Sequence, residues 1–146
     1  MAVDADLVRR KLKRIGEFIS QLEPLMRAPE SDFESNYQLR YAAERLVELI
    51  VGAGSDIALH IVSELSNNPP DSRAEAFRRL EALGVVGADL GGELRWSVGL
   101  RNTIVHEYEA ISPVELKQAL PRLTEVYKRF VAVMEELLRR LKGVGR

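Results

Sequence analysis

Cysteine is absent from this chain of 146 residues, and histidine occurs only twice. Without cysteine the protein has no disulfide framework, no thiolate zinc site and no cysteine nucleophile, and it suits a reducing cytoplasm, where we expect it to be located. Two histidines also disfavour a multi-histidine metal site. We therefore expect no metal site and no cofactor.

Long apolar runs and an excess of one charge sign are also missing. No run approaches the roughly 18 apolar residues of a membrane span, and residues 1–6 lack the apolar region of a signal peptide, so we expect no membrane association. The formal net charge of −1 argues against coating a long stretch of nucleic acid, although it is compatible with a small phosphate site. The basic residues are 16 Arg and 5 Lys, and Arg suits bidentate contacts to phosphate.

Strand signals are scarce, whereas helical periodicity covers almost the whole chain. Threonine occurs twice, and no stretch alternates cleanly between apolar and polar residues. The pattern predicts an all-α protein, an antiparallel bundle of four main helices plus one short helix in a single domain, 1–146. The predicted helices are one with a stripe from Val8 to Met26, a second after Ser31 that ends at 67–70, a short third from about Ser72 to Leu83, a fourth from about Asp89 to near Tyr108, and a last one from Ser112.

Local signals refine the predicted helix ends. Gly84 is expected just past the short helix, and Pro121 is expected to kink or divide the last helix. That helix, about 30 residues or roughly 45 Å, is longer than so small a bundle needs, so part of the surface is expected to pack against a second chain. Three S-x-x-E capping boxes predict helix starts at Ser31–Glu34, Ser72–Glu75 and Ser112–Glu115.

The most informative stretch is R-N-T-I-V-H-E-Y, residues 101–108. On a straight helix, Asn102 and His106 lie one turn apart, while Arg101 and Tyr108 lie on an adjoining stripe. A pocket that uses all four side chains therefore requires the helix to loosen near His106, or a second chain to fold over it.

These residue types suit RNA cleavage through the ribose 2′-OH. That reaction needs a proton acceptor, a proton donor to the leaving oxygen, and positive charge at the phosphorane. Histidine titrates near neutral pH and serves either proton role, and arginine offers a fixed fork to phosphate oxygens. Each chain has one such histidine, so we hypothesise that a symmetric dimer supplies two.

The pattern R-x4-H-x-Y resembles that of the HEPN superfamily, and most closely its HepT-type toxins. Arg101, His106 and Tyr108 match without a gap, and Asn102 matches the usual residue after the arginine. The similarity extends to residues 57–61 in a long second helix, the break at 69–70, the short helix at 77–83 and residues 99–100.

The resemblance implies a homodimer whose two motifs face each other across a cleft and cleave RNA without a metal ion. Arg101 and His106 would then be catalytic, and Asn102 would support them. It also implies a partner nucleotidyltransferase of the MNT type that acts as antitoxin. In the family that enzyme transfers AMP to the tyrosine that Tyr108 matches.

Plainer interpretations stay open for each residue. Arg101 would be structural if it paired with Glu107 or Glu109, and Asn102 would only brace the helix end. Tyr108 would be an ordinary half-buried tyrosine, and His60 is expected at the edge of the core. Two basic clusters, 9–14 and 139–142, are expected to be solvated helix faces, with an RNA-binding rim as the alternative.

Two rival functions accompany the ribonuclease. The same fold would serve a non-catalytic subunit that presents a nucleotide or substrate to a partner nucleotidyltransferase, with Arg101 and His106 gripping phosphate. A plain helical interaction protein is the second rival. Cleavage of RNA by the purified chain separates the ribonuclease from both, and nucleotide binding without cleavage favours the binding subunit.

Overall fold

The computed structural model describes residues 2–106 and 111–144, and this part of the chain forms six helices and no strand. The prediction of an all-α bundle is confirmed, with one short helix more than expected. The helices are α1 (Ala5–Met26), α2 (Glu30–Ser35), α3 (Tyr37–Ser66), α4 (Arg73–Ala82), α5 (Ala88–Val105) and α6 (Pro113–Val144).

The long helices α1, α3, α5 and α6 surround one apolar core. Contacts between α1 and α3 fix their direction: the N–H of Asp4 donates to His60 at 2.8 Å, and Lys11 pairs with Asp56 at 3.2 Å, so the two helices run antiparallel. The predicted stripes supply the core. Its largest fully buried side chains include Tyr127, Phe33, Phe77, Phe130, Ile15, Leu22, Ile50, Ile57 and Ile61.

The capping box predicted at Ser31–Glu34 is wrong. Ser31 lies inside α2, which begins after Pro29 with no side-chain cap. Instead, Asn36 separates α2 from α3, and its side chain accepts hydrogen bonds from two backbone N–H groups at the start of α3. Asparagine is a strong N-cap residue, and the fully buried Phe33 anchors α2 on the bundle as a separate turn.

The predicted caps at Ser72 and Ser112 and the predicted position of Gly84 are confirmed. The Ser72 hydroxyl accepts from the N–H of Glu75 at 3.1 Å, and the Ser112 hydroxyl accepts from the N–H of Glu115 at 3.1 Å. Gly84 follows α4 with a φ of 77°, a left-handed conformation that glycine adopts without steric cost.

Pro121 does not divide the last helix. It lies inside α6, which continues for 32 residues, and the hydroxyl of Thr124 donates back to the Pro121 carbonyl at 2.9 Å. The flanking residues Leu120 and Leu123 are fully buried, so core packing holds the helix together across the missing hydrogen bond.

Within the described residues, one helix is long and apolar enough to cross a membrane by length and composition, although the sequence has no unbroken apolar run of that length. It is α3, and half of its most apolar window is buried within the protein. Its inward face carries Ala43, Val47, Ile50 and Ile57, all at most 1% exposed, so its apolar character is that of a core helix.

Candidate functional site

The R-x4-H motif straddles the end of α5. Val105 is the last helical residue, and His106 caps the helix in an extended conformation with φ −90° and ψ 109°. The helix therefore loosens at His106, which is one of the two arrangements expected for a pocket that uses all four side chains. Glu107, Tyr108 and Glu109 lie outside the described residues.

Local sequence explains why α5 ends there. Thr103, Ile104 and Val105 are β-branched and disfavour a helix that is not held by packing. The hydroxyl of Thr103 also bonds back to the Gly99 carbonyl at 3.0 Å, and Val105 is 41% exposed. Leu94 and Val98, earlier in α5, are buried, so core packing holds the first part of the helix but not its last residue.

Arg101 is half-buried on the last turns of α5. Its Nη1 donates to Oδ1 of Asn102 at 3.3 Å. Within residues 2–106 and 111–144, no carboxylate forms an ion pair with it. Burial is the main cause that lowers the pKa of Arg101, the charge of Arg73 lowers it further, and Glu48 opposes both. The positive charge of a second cation thus acts on a half-buried guanidinium, which favours binding of an anion.

That second cation, Arg73, was missed by the sequence analysis. It is the first residue of α4, and its Nε donates to the hydroxyl of Ser55 at 3.0 Å. Ser55 is fully buried and in turn donates to the Gly52 carbonyl at 3.1 Å. The only sequence signal was the Ser72 cap, which fixes where α4 begins but not what the helix packs against.

His60 is a structural residue, as expected. Its Nε2 accepts the 2.8 Å hydrogen bond from Asp4, whose carboxylate caps α1 by accepting from the N–H of Leu7. The ring is half-buried at the edge of the bundle. The described part of the chain contains no group of three or more carboxylates, imidazoles or thiols that could hold a metal ion.

The two basic clusters converge in the fold. Arg9 and Lys13 of α1 face Arg139 and Lys142 of α6 across a groove of about 450 Å³ with an apolar floor. Part of this charge is neutralised locally, because Arg139 pairs with Glu136 at 2.6 Å. The groove lies between α1 and α6, whereas the motif lies on α5.

Comparison with known proteins identifies the family of this chain. A family model described as ribonuclease HepT-like matches residues 4–134. The tRNA nuclease HepT of Aphanizomenon flos-aquae is 28% identical over 136 residues, which cover 93% of this chain and 92% of that protein. The mRNA nuclease HepT of Shewanella oneidensis is 23% identical over 130 residues, covering 89% and 97%.

Solved structures share the fold. The tri-AMPylated HEPN toxin of Shewanella oneidensis, determined in complex with its MNT antitoxin, superposes with a TM-score of 0.83 at 23% identity, covering 90% of this chain and 98% of that one. The cytosolic protein YutE of Bacillus subtilis, of unknown function, superposes with a TM-score of 0.72 at 20% identity, covering 90% and 91%.

Proposed function

This chain belongs to the ribonuclease HepT-like family, and we propose that it is an endoribonuclease toxin that cleaves RNA without a metal ion. One observation carries the proposal: α5 ends so that His106 leaves the helix five residues after the half-buried Arg101. The relatives named as tRNA and mRNA nucleases support the reaction class.

In the proposed reaction, one His106 accepts the proton of the ribose 2′-OH as that oxygen attacks the neighbouring phosphorus. The new bond joins the 2′ oxygen to phosphorus, and the bond from phosphorus to the 5′ oxygen breaks. Arg101 stabilises the added negative charge of the phosphorane. A second imidazolium donates its proton to the departing 5′ oxygen, so the products are a 2′,3′-cyclic phosphate and a 5′-hydroxyl.

The second imidazolium comes from the His106 of a partner chain. Each chain supplies one motif histidine, so a homodimer with facing motifs provides both the base and the acid. Asn102 supports the site through its side-chain contact with Arg101, which fixes the guanidinium beside the helix end. Light scattering should show a dimer at micromolar concentration, and a stable 16 kDa monomer would contradict the two-chain site.

An MNT-type nucleotidyltransferase is the proposed antitoxin in the cytoplasm, and Tyr108 is the proposed acceptor of AMP. The AMPylated toxin of Shewanella oneidensis, solved with its MNT antitoxin, supports this pairing. Each AMP adds a phosphodiester anion close in sequence to Arg101. That anion would compete with RNA phosphate for the guanidinium, and the adenine would fill the cleft.

End-group analysis tests the reaction directly. The purified chain is incubated with tRNA and, separately, with a defined mRNA. Fragments that end in a 2′,3′-cyclic phosphate support the proposal. Fragments with 3′-hydroxyl ends would contradict the 2′-OH route. Nucleotide binding without any fragments would favour the non-catalytic binding subunit instead.

A further inference from the structure

A groove of about 730 Å³ separates the first turns of α3 from the end of α5, and we refer to it as the α3–α5 groove. Its lining includes Arg40, Tyr41, Glu44 and Glu48 from α3 and Ile104 and Val105 from α5. Because Val105 directly precedes His106, the groove borders the motif. It is large enough for a nucleotide, which the reaction at His106 alone does not require.

An exposed aromatic pair stands at the α3 side of this groove. Tyr37 and Tyr41 lie one helical turn apart, with ring centroids separated by 5.7 Å and each residue 58% exposed. The guanidinium of Arg40 lies 5.7 Å from the Tyr41 ring centroid. Tyr37 and Tyr41 are the two most exposed large apolar side chains among the described residues. Aromatic rings presented in this way are a common platform for stacking nucleobases.

Glu44 supplies the second observation. Its half-buried side chain makes no hydrogen bond or ion pair with any residue that the structure describes. Burial is the main cause that raises the pKa of its carboxyl, the neighbouring Glu48 adds to the rise, and Arg40 opposes it. Glu48, by contrast, pairs with Arg45 at 3.1 Å. A partly desolvated carboxylate without a protein partner is well suited to accept hydrogen bonds from a ligand.

Charge decides which part of a nucleotide fits. The groove is lined by Glu34, Glu44 and Glu48 against a single arginine, so phosphate is disfavoured there. Glu48 of the groove lining acts electrostatically on Arg101, so the positive charge of Arg101 is felt at this side of the groove. A nucleotide whose neutral base lies in the acidic groove and whose phosphate points toward Arg101 fits this distribution of charge.

We propose that the α3–α5 groove is a base-specific subsite in which guanine, adjacent to the cleaved phosphate, stacks on Tyr41 and donates to the carboxylate of Glu44. Guanine presents two neighbouring N–H donors, N1 and N2, which fit the two oxygens of one carboxylate. Adenine and cytosine offer only an amino group at that edge, and uracil only one ring N–H. The inference rests on the proposed ribonuclease function, whose substrate preference it specifies.

Binding of nucleoside monophosphates tests the subsite without relying on catalysis. We expect 5′-GMP to bind wild type about tenfold or more tightly than 5′-AMP, 5′-CMP or 5′-UMP, measured by calorimetry. Glu44→Gln should abolish this preference, and Tyr41→Ala should weaken all four by about 5- to 150-fold. Tyr41→Phe keeps the ring and should bind like wild type, as should Glu125→Gln, a matched change of an exposed glutamate on α6.

Cleavage-site sequencing on a random RNA pool provides the second arm. Wild type should cut beside guanine, and Glu44→Gln should cut with little base preference while light scattering shows an unchanged oligomer. Equal binding of all four monophosphates by wild type, or an unaltered preference in Glu44→Gln, would overturn the subsite. Loss of the dimer in Tyr41→Ala would also overturn it, because the ring pair would then be a subunit contact.

The two proposals fail in different ways. Specific binding of 5′-GMP by a wild-type chain that cuts no RNA would refute the ribonuclease and leave the groove a nucleotide site. RNA cleavage without base preference would refute the groove and leave the ribonuclease intact.

Discussion

The backbone N–H of His106 donates to the carbonyl of Asn102 at 3.1 Å, and this is the hydrogen bond that closes α5. The side chain of the same Asn102 accepts from Arg101 at 3.3 Å. Asn102 therefore contacts both proposed catalytic residues, one through its backbone and one through its side chain. Asn102 thus links Arg101 to the residue at which α5 ends.

Removal of Arg101 should affect catalysis far more than folding. Arg101→Ala should lower kcat by about 10²- to 10³-fold, the usual cost of losing one preorganised charge at the transition state. The melting temperature should change little, because Arg101 has no ion pair within the described residues. Single-turnover cleavage and thermal melts measure both, with the exposed Arg45→Ala as control. Full activity in Arg101→Ala would make the arginine structural.

Tyr108 should control the protein rather than catalyse its reaction. An unperturbed tyrosine has a pKa near 10 and is a poor base at neutral pH, so Tyr108→Phe should keep nuclease activity. The variant should escape neutralisation by the nucleotidyltransferase. Mass spectrometry after incubation with the partner, ATP and Mg²⁺ should find AMP on Tyr108 in wild type and none in the variant. Neutralisation of Tyr108→Phe as efficient as that of wild type would mean that the partner inhibits by binding alone.

Replacement by alanine should change the free energy of unfolding in opposite directions at two glycines of α3. A Cβ at Gly54 would lie 2.5 Å from Cε1 of the buried Tyr127, so Gly54→Ala should lower the free energy of unfolding by about 1–3 kcal/mol. A Cβ at Gly52 meets nothing within 4 Å, so Gly52→Ala should raise it by about 0.5–1 kcal/mol through better helix propensity. Urea denaturation compares them. Equal effects would contradict the close approach of α3 and α6.

Tyr127 should make stability fall in strong base. Burial raises the pKa of its hydroxyl, while the hydrogen bond with Ser97 at 2.8 Å acts in the opposite direction. The folded state thus keeps the proton above the unfolded value of about 10, so the stabilisation is complete below pH 10 and declines as the pH rises further. The loss should be up to about 1.4 kcal/mol per pH unit. Tyr127→Phe should lack this pH-dependent loss of stability, whereas Tyr37→Phe, a change at an exposed tyrosine, should keep it. Parallel pH profiles for wild type and Tyr127→Phe would refute it.

The sequence was sufficient to predict helix positions and helix ends where the local preference of the chain agreed with the packing of the core. The periodic stripes, Gly84 and the caps at Ser72 and Ser112 were all predicted because helix geometry and capping act within a few residues. The prediction at Ser31 failed because a competing cap, Asn36, starts α3, while the buried Phe33 packs α2 on the bundle as a separate helix. Neither burial nor competition is visible from spacing alone.

The site was less predictable because its parts are distant in sequence. The motif at 101–108 could be identified from its spacing, and α5 ends within it, after Val105. Arg73 lies 28 residues before Arg101 in the chain, and its charge acts on Arg101 in a fold where α4 packs against both α3 and α5. The exposed Tyr41 lies on α3, the same helix that supplies much of the buried core. Such convergence depends on tertiary packing, which one sequence without homologues does not reveal.

The most direct measurement is RNA cleavage in EDTA by wild type and His106→Ala, with His60→Gln as the matched histidine control. The account predicts that wild type and His60→Gln cut RNA at the same rate with and without EDTA. It predicts that His106→Ala, folded and dimeric, is slower by at least about 10²-fold. Loss of wild-type activity in EDTA, or full activity in His106→Ala, would contradict a metal-independent site built on this histidine.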